Sequence, residues 1–515
     1  MESYDIAIVG SGFAGSLMAM ICQRLGRSVV LLERGRHPRF TIGESSTPLT
    51  NLMIEELTTR YNLPALAPLA KWGTWQQNYP GIACGLKRGF SFFHHQLGRP
   101  EAHDSDRENQ LLVAASPNNS IADTHWYRPD FDKLFANEAQ QMGIRYLDQL
   151  ELTHVSELEA EIHLKGVRHG QDVCLHARFV IDATGPRGFL NRTLNLGELP
   201  IPDFPHTQAL YSHFTGVGRW ADFQKHTSEA PPYPVDDAAV HHVFDGGWIW
   251  VLQFNNGVTS AGVAATDEAA KRLNLDKGEP AWQNLLHLIP SLRQQFDHAK
   301  SIRPFTHVPR LSFRSGKSAG QRWVLLPSAA GFVDPLFSTG FALTLLGIGR
   351  LAEIIQHHWN VQDFPARVRS SASKSEEELL AAGRLIGGLY ARMGEFPVFV
   401  SLSFLYFTSV IFSETVRRLG KPEMASSFLL FDHPEFGHRC QELLRRAREP
   451  LATGSSKLCE DILQVIDPLN LAGLGDSNRR NWYPADARDL FQGAYKVGAS
   501  KDDIAALLRR SGFDA

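Results

Sequence analysis

Three glycines near the N-terminus, Gly10, Gly12 and Gly15, have the spacing of a phosphate-binding turn. Gly10 allows a tight turn, Gly12 lets the backbone approach a pyrophosphate, and Gly15 lets the following helix pack on its strand. The start of that helix would offer free N–H groups to phosphate oxygens. Glu33 follows at the distance where a carboxylate can accept hydrogen bonds from ribose hydroxyls. These residues predict a dinucleotide site.

The segments around the glycines have the order that such a site requires. "YDIAIVG" (4–10) predicts a buried strand, "SLMAMICQRLG" (16–26) a helix, and "SVVLLERG" (28–35) a second buried strand. This start fits either NAD or FAD. A later apolar strand, "FVIDATGPRG" (179–188), is of the kind that returns beside a bound flavin dinucleotide, and acidic Glu33 disfavours a phosphorylated ribose. Together they favour FAD.

The rest of the chain divides into a strand-rich part and a helical part. Residues 146–177 alternate like a sheet, and 207–265 predict a second sheet that could form the floor of a substrate site. From about 340 onward the spacing is helical. We therefore predict an α/β protein with a Rossmann-type FAD-binding fold and an interleaved substrate-side β-sheet. Residues 1–360 would form this body, and 361–515 a C-terminal helical cap.

Composition excludes several classes of function. The chain has 515 residues, 43% apolar and 21% charged, and a net charge of −3 gives no reason to expect nucleic acid or an anionic membrane as partner. Five scattered cysteines argue against a disulfide framework and a zinc site. The N-terminus runs directly into a strand, so we expect no signal peptide and a cytoplasmic location. Residues 396–412 are almost free of charge but shorter than a membrane span, which favours a buried helix over a peripheral membrane contact.

A pair of tryptophans marks a second candidate region. Trp248 and Trp250 in "GGWIWVLQF" (246–254) lie two apart in a predicted strand, so both indoles point to one face, either as core filling or as the wall of a site. Adjacent histidines at 94–95 and 241–242 would point to opposite faces without a set of carboxylates, and we predict no metal site. A nucleophile elbow with a Ser/His/Asp set is not found in the sequence either.

Taken together, the motifs resemble one known family. "HPRFTIGESSTP" (37–48), "GGWIWVLQF" and "GFVDPLFSTG" (331–340), behind the glycine turn, are similar to the flavin-dependent halogenases, above all to the pyrrolnitrin- and chlortetracycline-type enzymes that act on phenols and pyrroles. The resemblance covers residues 4–360. It implies that FADH2, supplied by a separate NAD(P)H-dependent flavin reductase, reacts with O2 to a flavin hydroperoxide. Chloride or bromide would then give hypohalous acid, which a lysine holds beside a small aromatic substrate, free or carrier-bound.

Two lysines compete for the catalytic role that the resemblance implies. Lys71 in "LAKWGTWQQ" stands where phenol and pyrrole halogenases show a lysine before an aromatic residue and a glycine, and Lys87 lies in "CGLKRGFSFFHH". We favour Lys71, and a solvated surface lysine is the alternative for each. Trp248 and Trp250 would form a wall between the flavin and the substrate.

The segment before the long apolar helix carries two departures from the family. Phe337 stands where tryptophan-specific halogenases have a glutamate, which points towards phenols and pyrroles, while Ser338 would lie at the reacting atoms. Pro327 and Ser328 stand at positions of the family's Gly-Asp-Ala, and the sequence leaves both weak and ordinary FAD binding open. In the tryptophan segment, Gln253 replaces a proline and should let the strand continue, moving the turn to 255–257.

Motifs and resemblance together place a set of residues at the cofactor and the halide. Ser338, Thr339 and Gly340 would bind the halide. An FAD-dependent monooxygenase or oxidoreductase on the same fold, and a family member that has lost activity, are the alternatives. The predicted cofactor-binding residues are Gly10, Gly12, Phe13, Ala14, Gly15, Glu33, Arg34, Glu44, Ser45, Arg128, Asp182, Gly185, Ser328, Asp334, Thr339 and Gly340.

Overall fold

The first sixty residues fold around a parallel strand–helix–strand unit, as their sequence predicts. The computed structural model describes residues 2–99, 104, 106–223, 229–451 and 454–513. In it β1 (Glu2–Val9) lies parallel to β2 (Val29–Leu32), and α1 (Phe13–Arg24) connects them. Both strands become fully buried where they pair, which explains their uninterrupted apolar sequence.

The remaining elements alternate in the first two thirds of the chain and are mostly helical after it. The other strands are β3 (Cys84–Lys87), β4 (Gly89–His94), β5 (Gln110–Ala114), β6 (Asp123–Trp126), β7 (Arg145–Leu147), β8 (Leu150–Glu157), β9 (Ile162–Arg168), β10 (Gln171–Asp182), β11 (Thr207–Thr215), β12 (Ala239–Phe244), β13 (Gly247–Gln253), β14 (Val258–Thr266), β15 (Lys300–Ser301), β16 (Thr306–Val308), β17 (Phe313–Arg314), β18 (Trp323–Leu325), β19 (Gly331–Phe332) and β20 (Trp482–Tyr483). The other α-helices are α2 (Pro48–Arg60), α3 (Trp72–Asn78), α4 (Arg128–Gln141), α5 (Phe189–Thr193), α6 (Asp267–Arg272), α7 (Glu279–His287), α8 (Pro290–Gln295), α9 (Pro327–Ala330), α10 (Thr339–His358), α11 (Phe364–Tyr390), α12 (Phe396–Arg418), α13 (Phe436–Arg448), α14 (Ser455–Ile466), α15 (Ala487–Gly493) and α16 (Lys501–Arg510).

The first sheet carries the predicted nucleotide-binding unit. Its strand order is β7-β2-β1-β10-β9-β8, with β18 beside β10. β10 runs parallel to β1, with Phe179 opposite Ile6, and antiparallel to β9. The later apolar strand therefore returns beside the first strand, as its sequence predicts. The carboxyl ends of β1 and β10 meet at one edge, where ligands bind in parallel sheets.

The second sheet carries the tryptophan pair. Its order is β15-β11-β14-β13-β12-β4-β5-β20, with β16 pairing β11. β13 runs through Gln253 and turns at 255–257 into β14, so the predicted extension of this strand is confirmed. β20, from the mostly helical C-terminal region, pairs with β5 and thus joins that region to the second sheet.

α12 covers this second sheet. Two helical segments, Leu336–His358 and Phe396–Arg418, are long and apolar enough to cross a membrane, but 67% and 89% of their apolar windows are buried inside the protein. Phe399 on α12 packs edge-on against Phe92 on β4, with ring centroids 5.8 Å apart. The apolar run that includes residues 396–412 is therefore a core helix of the protein, as its length and hydroxyl content indicate.

Candidate active site

The glycine turn after β1 has the shape that a pyrophosphate requires. Gly10 has a φ of +101°, which an L side chain rarely adopts, and its N–H donates to Leu32 O. A Cβ on Gly15 would lie 1.9 Å from Gly10 O, so the helix could not pack on this turn with any larger residue. A Cβ on Gly12, in contrast, would lie 3.5 Å from Nη2 of Arg39, 3.6 Å from Oδ2 of Asp132 and 3.7 Å from Nη2 of Arg128, which are ordinary van der Waals distances. Gly12 therefore faces two guanidinium groups and the carboxylate that holds one of them.

Arg128 is held in place by an aspartate that the sequence reasoning missed. Its Nε and Nη2 donate to the two oxygens of Asp132, each at 2.8 Å, and Nη1 donates to Gly43 O at 2.8 Å. Asp132 also accepts from the N–H of Phe13 at the start of α1. The spacing of Arg128 and Asp132, one turn apart in α4, is the only sequence signal that could have found this pair.

Glu33 lies at the end of β2, as predicted, and its carboxylate has partners within the protein. It accepts from the N–H and hydroxyl of Ser11, both at 3.0 Å, and from the N–H of Gly35 at 2.8 Å. Burial raises its pKa, but nearby Arg39 and these hydrogen bonds outweigh burial, so the pKa of Glu33 is lowered and the group is ionised at neutral pH. Its neighbour Arg34 is exposed to solvent.

At the end of β10, Asp182 ties its own loop together. One of its oxygens accepts from the N–H and hydroxyl of Thr184, and the other accepts from the N–H of Leu190 at 2.7 Å. Gly185 has a φ of +80°, and an added Cβ there would meet nothing within 4 Å. The aspartate shapes the loop, and the glycine leaves open space beside the turn after β1.

The loop 43–46 connects the Arg128 side of the site with the second sheet. Gly43 receives the hydrogen bond from Arg128, and Glu44 Oε1 lies 2.7 Å from His213 Nε2 on β11, with both side chains almost fully buried. Glu44 Oε2 is buried and has no hydrogen-bond partner in the described part of the chain. Ser45 and Ser46 then reach Lys87.

Lys87 is buried completely, at the end of β3. Its Nζ donates to the hydroxyl of Ser45 at 2.9 Å and to Ser46 O at 2.5 Å, and lies 3.9 Å from the centre of the Phe90 ring. Burial lowers the pKa of this lysine, against the attraction of Asp123. Completely buried lysines are rare, and Lys87 is therefore a candidate functional group.

Lys71, in contrast, lies near the surface. It immediately precedes α3, its side chain is 24% exposed, and its Nζ pairs with Glu55 Oε1 at 3.5 Å. Trp72 beside it is half-buried, while Trp75 is buried and stacks on Phe131. The flanking aromatics that drew attention to this segment therefore belong to the core beside α4.

The tryptophan pair lines the inner face of the second sheet. Trp248 is 1% exposed and Trp250 5% exposed, and their ring centroids are 5.7 Å apart. Trp250 donates its indole N–H to Ser260 at 3.2 Å. Trp248 donates to Asp334 at 3.3 Å and lies within hydrogen-bond distance of Tyr390 OH, 3.1 Å away. The pair is therefore fixed on one side by its own sheet and on the other by the segment before α10.

That segment has an irregular backbone. Phe337 and Ser338 have φ values of +62° and +55°, a left-handed conformation uncommon for residues with side chains. Phe337 is buried and stacks on Tyr406, whose hydroxyl donates to Phe337 O at 2.8 Å. Contacts with α12 thus hold the backbone from which α10 begins at Thr339. Gly340 follows on the first turn, where the nearest atom to an added Cβ would lie 3.9 Å away.

Asp334 supports this segment from inside. Its Oδ1 accepts from the N–H of Leu336 at 3.0 Å, and its Oδ2 accepts from Tyr390 OH at 2.9 Å. Burial raises the pKa of Asp334 to about 6, although its hydrogen bonds act in the opposite direction. Ser328 lies half-buried on α9, at the end of β18.

An aromatic stack connects Lys87 with the tryptophans. The His241 ring lies 4.4 Å from Phe92 and 5.2 Å from Trp248, and Phe92 stacks on Phe90 beneath Lys87. Burial lowers the pKa of His241 to about 3, so its ring is neutral at physiological pH. These four aromatic side chains, Phe90, Phe92, His241 and Trp248, are buried and uncharged, and we refer to them as the aromatic wall.

The residues around the glycine turn fit FAD. Gly12 lies beside Arg39 and Arg128, and the buried Nε of Arg39 has no hydrogen-bond partner in the described residues. A pyrophosphate would supply acceptors for these donors. Ionised Glu33 lies beside the glycine turn, where it could accept hydrogen bonds from a ribose. Loop 43–46 contacts Arg128 at one end and Lys87 at the other.

Comparison with known proteins agrees with this fit. Residues 5–333 match the family described as FAD dependent oxidoreductase. The chain is 29% identical to tetracycline 7-halogenase of Kitasatospora aureofaciens over 408 residues, which cover 78% of this chain and 72% of the relative. It is 30% identical to monodechloroaminopyrrolnitrin halogenase PrnC of Pseudomonas fluorescens over 383 residues, or 73% of this chain and 66% of that one.

The fold also resembles a solved structure over almost its full length. The halogenase PltM, solved in complex with phloroglucinol and FAD, aligns with a TM-score of 0.81 and 25% sequence identity. The alignment covers 93% of this chain and 99% of PltM. The likeness therefore extends into the C-terminal helical region, beyond the residues that the family match covers.

Proposed function

The chain belongs to the FAD-dependent oxidoreductases, in the branch of the flavin-dependent halogenases, and we propose that it halogenates a phenol or pyrrole beside Lys87. The complete burial of Lys87, together with its hydrogen bonds to Ser45 and Ser46, carries this assignment. Lys87 contacts loop 43–46, which begins beside Arg128, and also the Phe90 ring of the aromatic wall. Lys71, which the sequence favours, pairs with Glu55 near the surface and lacks these contacts.

When bound, reduced FAD would supply the two electrons that, with O2 and chloride or bromide, yield hypohalous acid. From this chain, Gly12, Arg39 and Arg128 would bind the pyrophosphate, and Glu33 the ribose. Loop 43–46 and the start of α10 would border the ring system. The absence of an acid at Ser328 leaves fewer polar contacts to the cofactor, which suits a reduced flavin that is delivered by a separate reductase.

The Lys87 ammonium would act as an acid and then as a base. It donates a proton to the oxygen of hypohalous acid while the oxygen–halogen bond breaks and the halogen bonds to a ring carbon. Water leaves, and the proton lost from that ring carbon returns to the amine. The balance is one aromatic C–H and one hypohalous acid converted to one aromatic C–halogen bond and one water. A low pKa suits both roles, because the group can lose and regain its proton near neutral pH.

The aromatic wall would keep the oxidant in place. Trp248, His241 and Phe92 present ring faces with no ionised group, so water and competing nucleophiles are excluded. Phe337 adds another uncharged face at the irregular segment. An electron-rich, uncharged ring is the substrate that such surfaces accommodate best, and stacking would orient it.

The experiment compares the two lysines. Purified protein is incubated with FAD, a flavin reductase, NADH and bromide, and a panel of phenols, free pyrroles and a carrier-bound pyrrole is screened for the bromine isotope pattern. We expect brominated product with the wild type and a loss of roughly a hundredfold or more in Lys87→Ala. Lys71→Ala is the matched control and should retain wild-type activity.

Other outcomes separate the alternatives. Loss of bromination in Lys71→Ala with activity retained in Lys87→Ala would overturn the assignment of the lysine. A hydroxylated product formed with NAD(P)H and no added reductase would instead indicate a monooxygenase. Failure to bind FAD in a fluorescence titration would indicate a family member without activity. We also propose a cytoplasmic location, together with the reductase, and fractionation of the native host tests it.

A further inference from the structure

A buried carboxylate accompanies Lys87 in its small sheet. β3 and β6 pair antiparallel, and Lys87 is directly opposite Asp123, so both side chains leave the sheet on the same face. Lys87 is 0% exposed and Asp123 6% exposed. Burying one such group without compensation costs several kcal/mol, on the order of the stability of a small domain. Two opposite charges facing each other therefore call for a functional explanation.

Asp123 is positioned by one hydrogen bond and leaves one oxygen open. Its Oδ1 accepts from Nδ2 of Asn51, on α2, at 2.7 Å. Its Oδ2 is buried and has no hydrogen-bond partner among the residues that the structure describes. Lys87 Nζ donates to Ser45 and Ser46 instead, and no ion pair within 4.0 Å joins it to Asp123 in the described chain. Lys87 is thus hydrogen-bonded to neutral acceptors, and the carboxylate of Asp123 lies opposite it without a direct hydrogen bond.

Of the titratable groups around Lys87, Asp123 is the one whose negative charge favours the protonated lysine. Burial lowers the pKa of Lys87, although the attraction of Asp123 acts against it. Burial likewise raises the pKa of Asp123, although the attraction of Lys87 acts against it. His125 on β6 and His241 on β12 also face the lysine, and burial lowers the pKa of each to about 3, so both are neutral. The remaining charged groups near Asp123, Glu414 and Arg418, lie on α12 and are paired with each other.

We propose that Asp123 is the positioning residue that keeps Lys87 protonated inside the protein, so that the lysine can donate to a neutral oxidant. Without the carboxylate, burial would leave a neutral amine, which accepts hydrogen bonds but cannot supply the proton. The open Oδ2 provides the compensating charge without taking the Nζ hydrogens away from the oxidant. This inference rests on the function proposed for Lys87, but its first test does not need halogenation.

The first test measures the lysine itself. Protein labelled with 13C at lysine Cε is titrated by NMR, and the Lys87 signal is assigned by its absence in Lys87→Met. We expect Asp123→Asn, which keeps an acceptor for Asn51, to lower the pKa of Lys87 by roughly one to two pH units, whereas Asp123→Glu restores most of it. If Asp123→Asn folds poorly, the same interaction can be measured from the other side. In Lys87→Met the carboxyl pKa of Asp123 should rise, because the lysine that lowers it is gone.

The second test uses activity. The alkaline limb of kcat for bromination should move to lower pH in Asp123→Asn by the same amount as the NMR titration, with KM for the aromatic substrate little changed. An unchanged Lys87 titration in Asp123→Asn would overturn the inference. A shifted titration in a protein that never brominates would leave the role of Asp123 standing and contradict the proposed function, so the two failures are distinguishable.

A different observation points to a metal site far from this chemistry. His163 on β9 and His176 on β10 are directly opposite each other in the first sheet, with rings stacked at 3.9 Å. Glu161 Oε1 lies 2.7 Å from His163 Nε2 and 3.3 Å from His176 Nδ1. The three ligand atoms lie within 4.8 Å of one another. Tetrahedral zinc, bound at about 2.0–2.2 Å, requires N and O ligands separated by roughly 3.3 Å. Binding would therefore lengthen the hydrogen bond between Glu161 and His163 and turn the stacked rings towards the ion.

The geometry points to Glu161, His163 and His176 as a three-ligand site for Zn²⁺ or a similar ion, with an open fourth position. Cys174, whose Sγ lies 3.8 Å from His176 Nε2, is the nearest soft donor. Isothermal titration with ZnCl2 should show one equivalent bound with micromolar affinity and a rise in Tm, since the ion would join β9 to β10. His163→Gln and His176→Gln should each weaken binding about tenfold or more, and His154→Gln on β8 serves as control. Equal binding in all variants would overturn the assignment.

Discussion

The indole N–H of Trp248 lies 3.3 Å from Oδ1 of Asp334, and this contact joins the central strand of one sheet to the segment from which α10 begins. Tyr390 on α11 completes the junction, with its hydroxyl 3.1 Å from the indole nitrogen and 2.9 Å from Asp334 Oδ2. All three side chains are buried. The position of the irregular backbone at Phe337 and Ser338 thus depends on a polar cluster behind it.

Replacing Trp248 should cost more than replacing Trp250, although the two side chains are equally large. Trp248→Phe removes a donor from buried Asp334 and should lower the free energy of unfolding by about 1–3 kcal/mol beyond the loss of ring area. Trp250→Phe loses only its hydrogen bond to Ser260, worth about 1 kcal/mol. Urea unfolding of the two variants makes the comparison, and equal losses would contradict it.

The stability of Asp334→Asn relative to the wild type should increase as the pH rises. Burial raises the pKa of Asp334 from 3.8 to about 6, so between these values the folded form holds a proton that the unfolded chain has lost. Wild-type stability therefore falls across this window, whereas the variant has no such group. The difference in free energy of unfolding, variant minus wild type, should grow by up to about 3 kcal/mol from about pH 4 to about pH 7.

Urea unfolding at a series of pH values checks this sign. Tyr390→Phe gives an independent control, because it removes a hydrogen bond that lowers the pKa of Asp334. The pH window in that variant should extend to higher pH. A difference between Asp334→Asn and wild type that stays constant with pH would show that the carboxyl does not titrate in this range.

The two glycines of the turn after β1 should respond differently to alanine. Gly15→Ala places a Cβ 1.9 Å from Gly10 O, a backbone atom that cannot move without opening the turn, so we expect a loss of more than about 3 kcal/mol or failure to fold. Gly12→Ala has 3.5 Å of room, so its Tm should stay near that of the wild type. Its FAD affinity should still fall about tenfold, because the methyl group enters the pyrophosphate space. Thermal unfolding and FAD fluorescence titration measure both.

Asp132→Asn should destabilise the protein strongly and weaken FAD binding. Arg128 would remain buried with its charge uncompensated, which costs about 3–5 kcal/mol in comparable pairs. Glu353→Gln is the matched control, because its ion pair with Arg60 lies on the surface and contributes about 1 kcal/mol or less. Denaturant unfolding of the apoprotein separates the effect on folding from that on the cofactor.

Much of the nucleotide-binding part could be predicted because its signals are local. The positive φ of Gly10, the close approach at Gly15 and the buried strands before and after α1 follow from residues within one short segment. The continuation of β13 through Gln253 is also local, since a residue with an N–H continues a ladder that a proline would end.

The surroundings of single side chains could not be predicted in this way. Lys71 and Lys87 have similar neighbours in sequence, yet one lies near the surface and the other in the interior. The difference arises because loop 43–46 contacts Lys87 at the end of β3, and no sequence pattern near Lys87 indicates this contact. Asp132 pairs with Arg128 within one helix, which is a local contact, but its hydrogen bond with Phe13 forms only because α4 packs on α1.

The sequence by itself determined the dinucleotide turn, the strand that returns beside it, the family, and the shared face of Trp248 and Trp250. These follow from backbone conformation and residue periodicity, which act over a few residues. Only the tertiary structure decided which lysine is desolvated, which carboxylate faces it, and that Asp334 supports the tryptophans. Burial and electrostatic coupling depend on groups that are distant in the chain, and their strength is set by the exclusion of water that packing achieves.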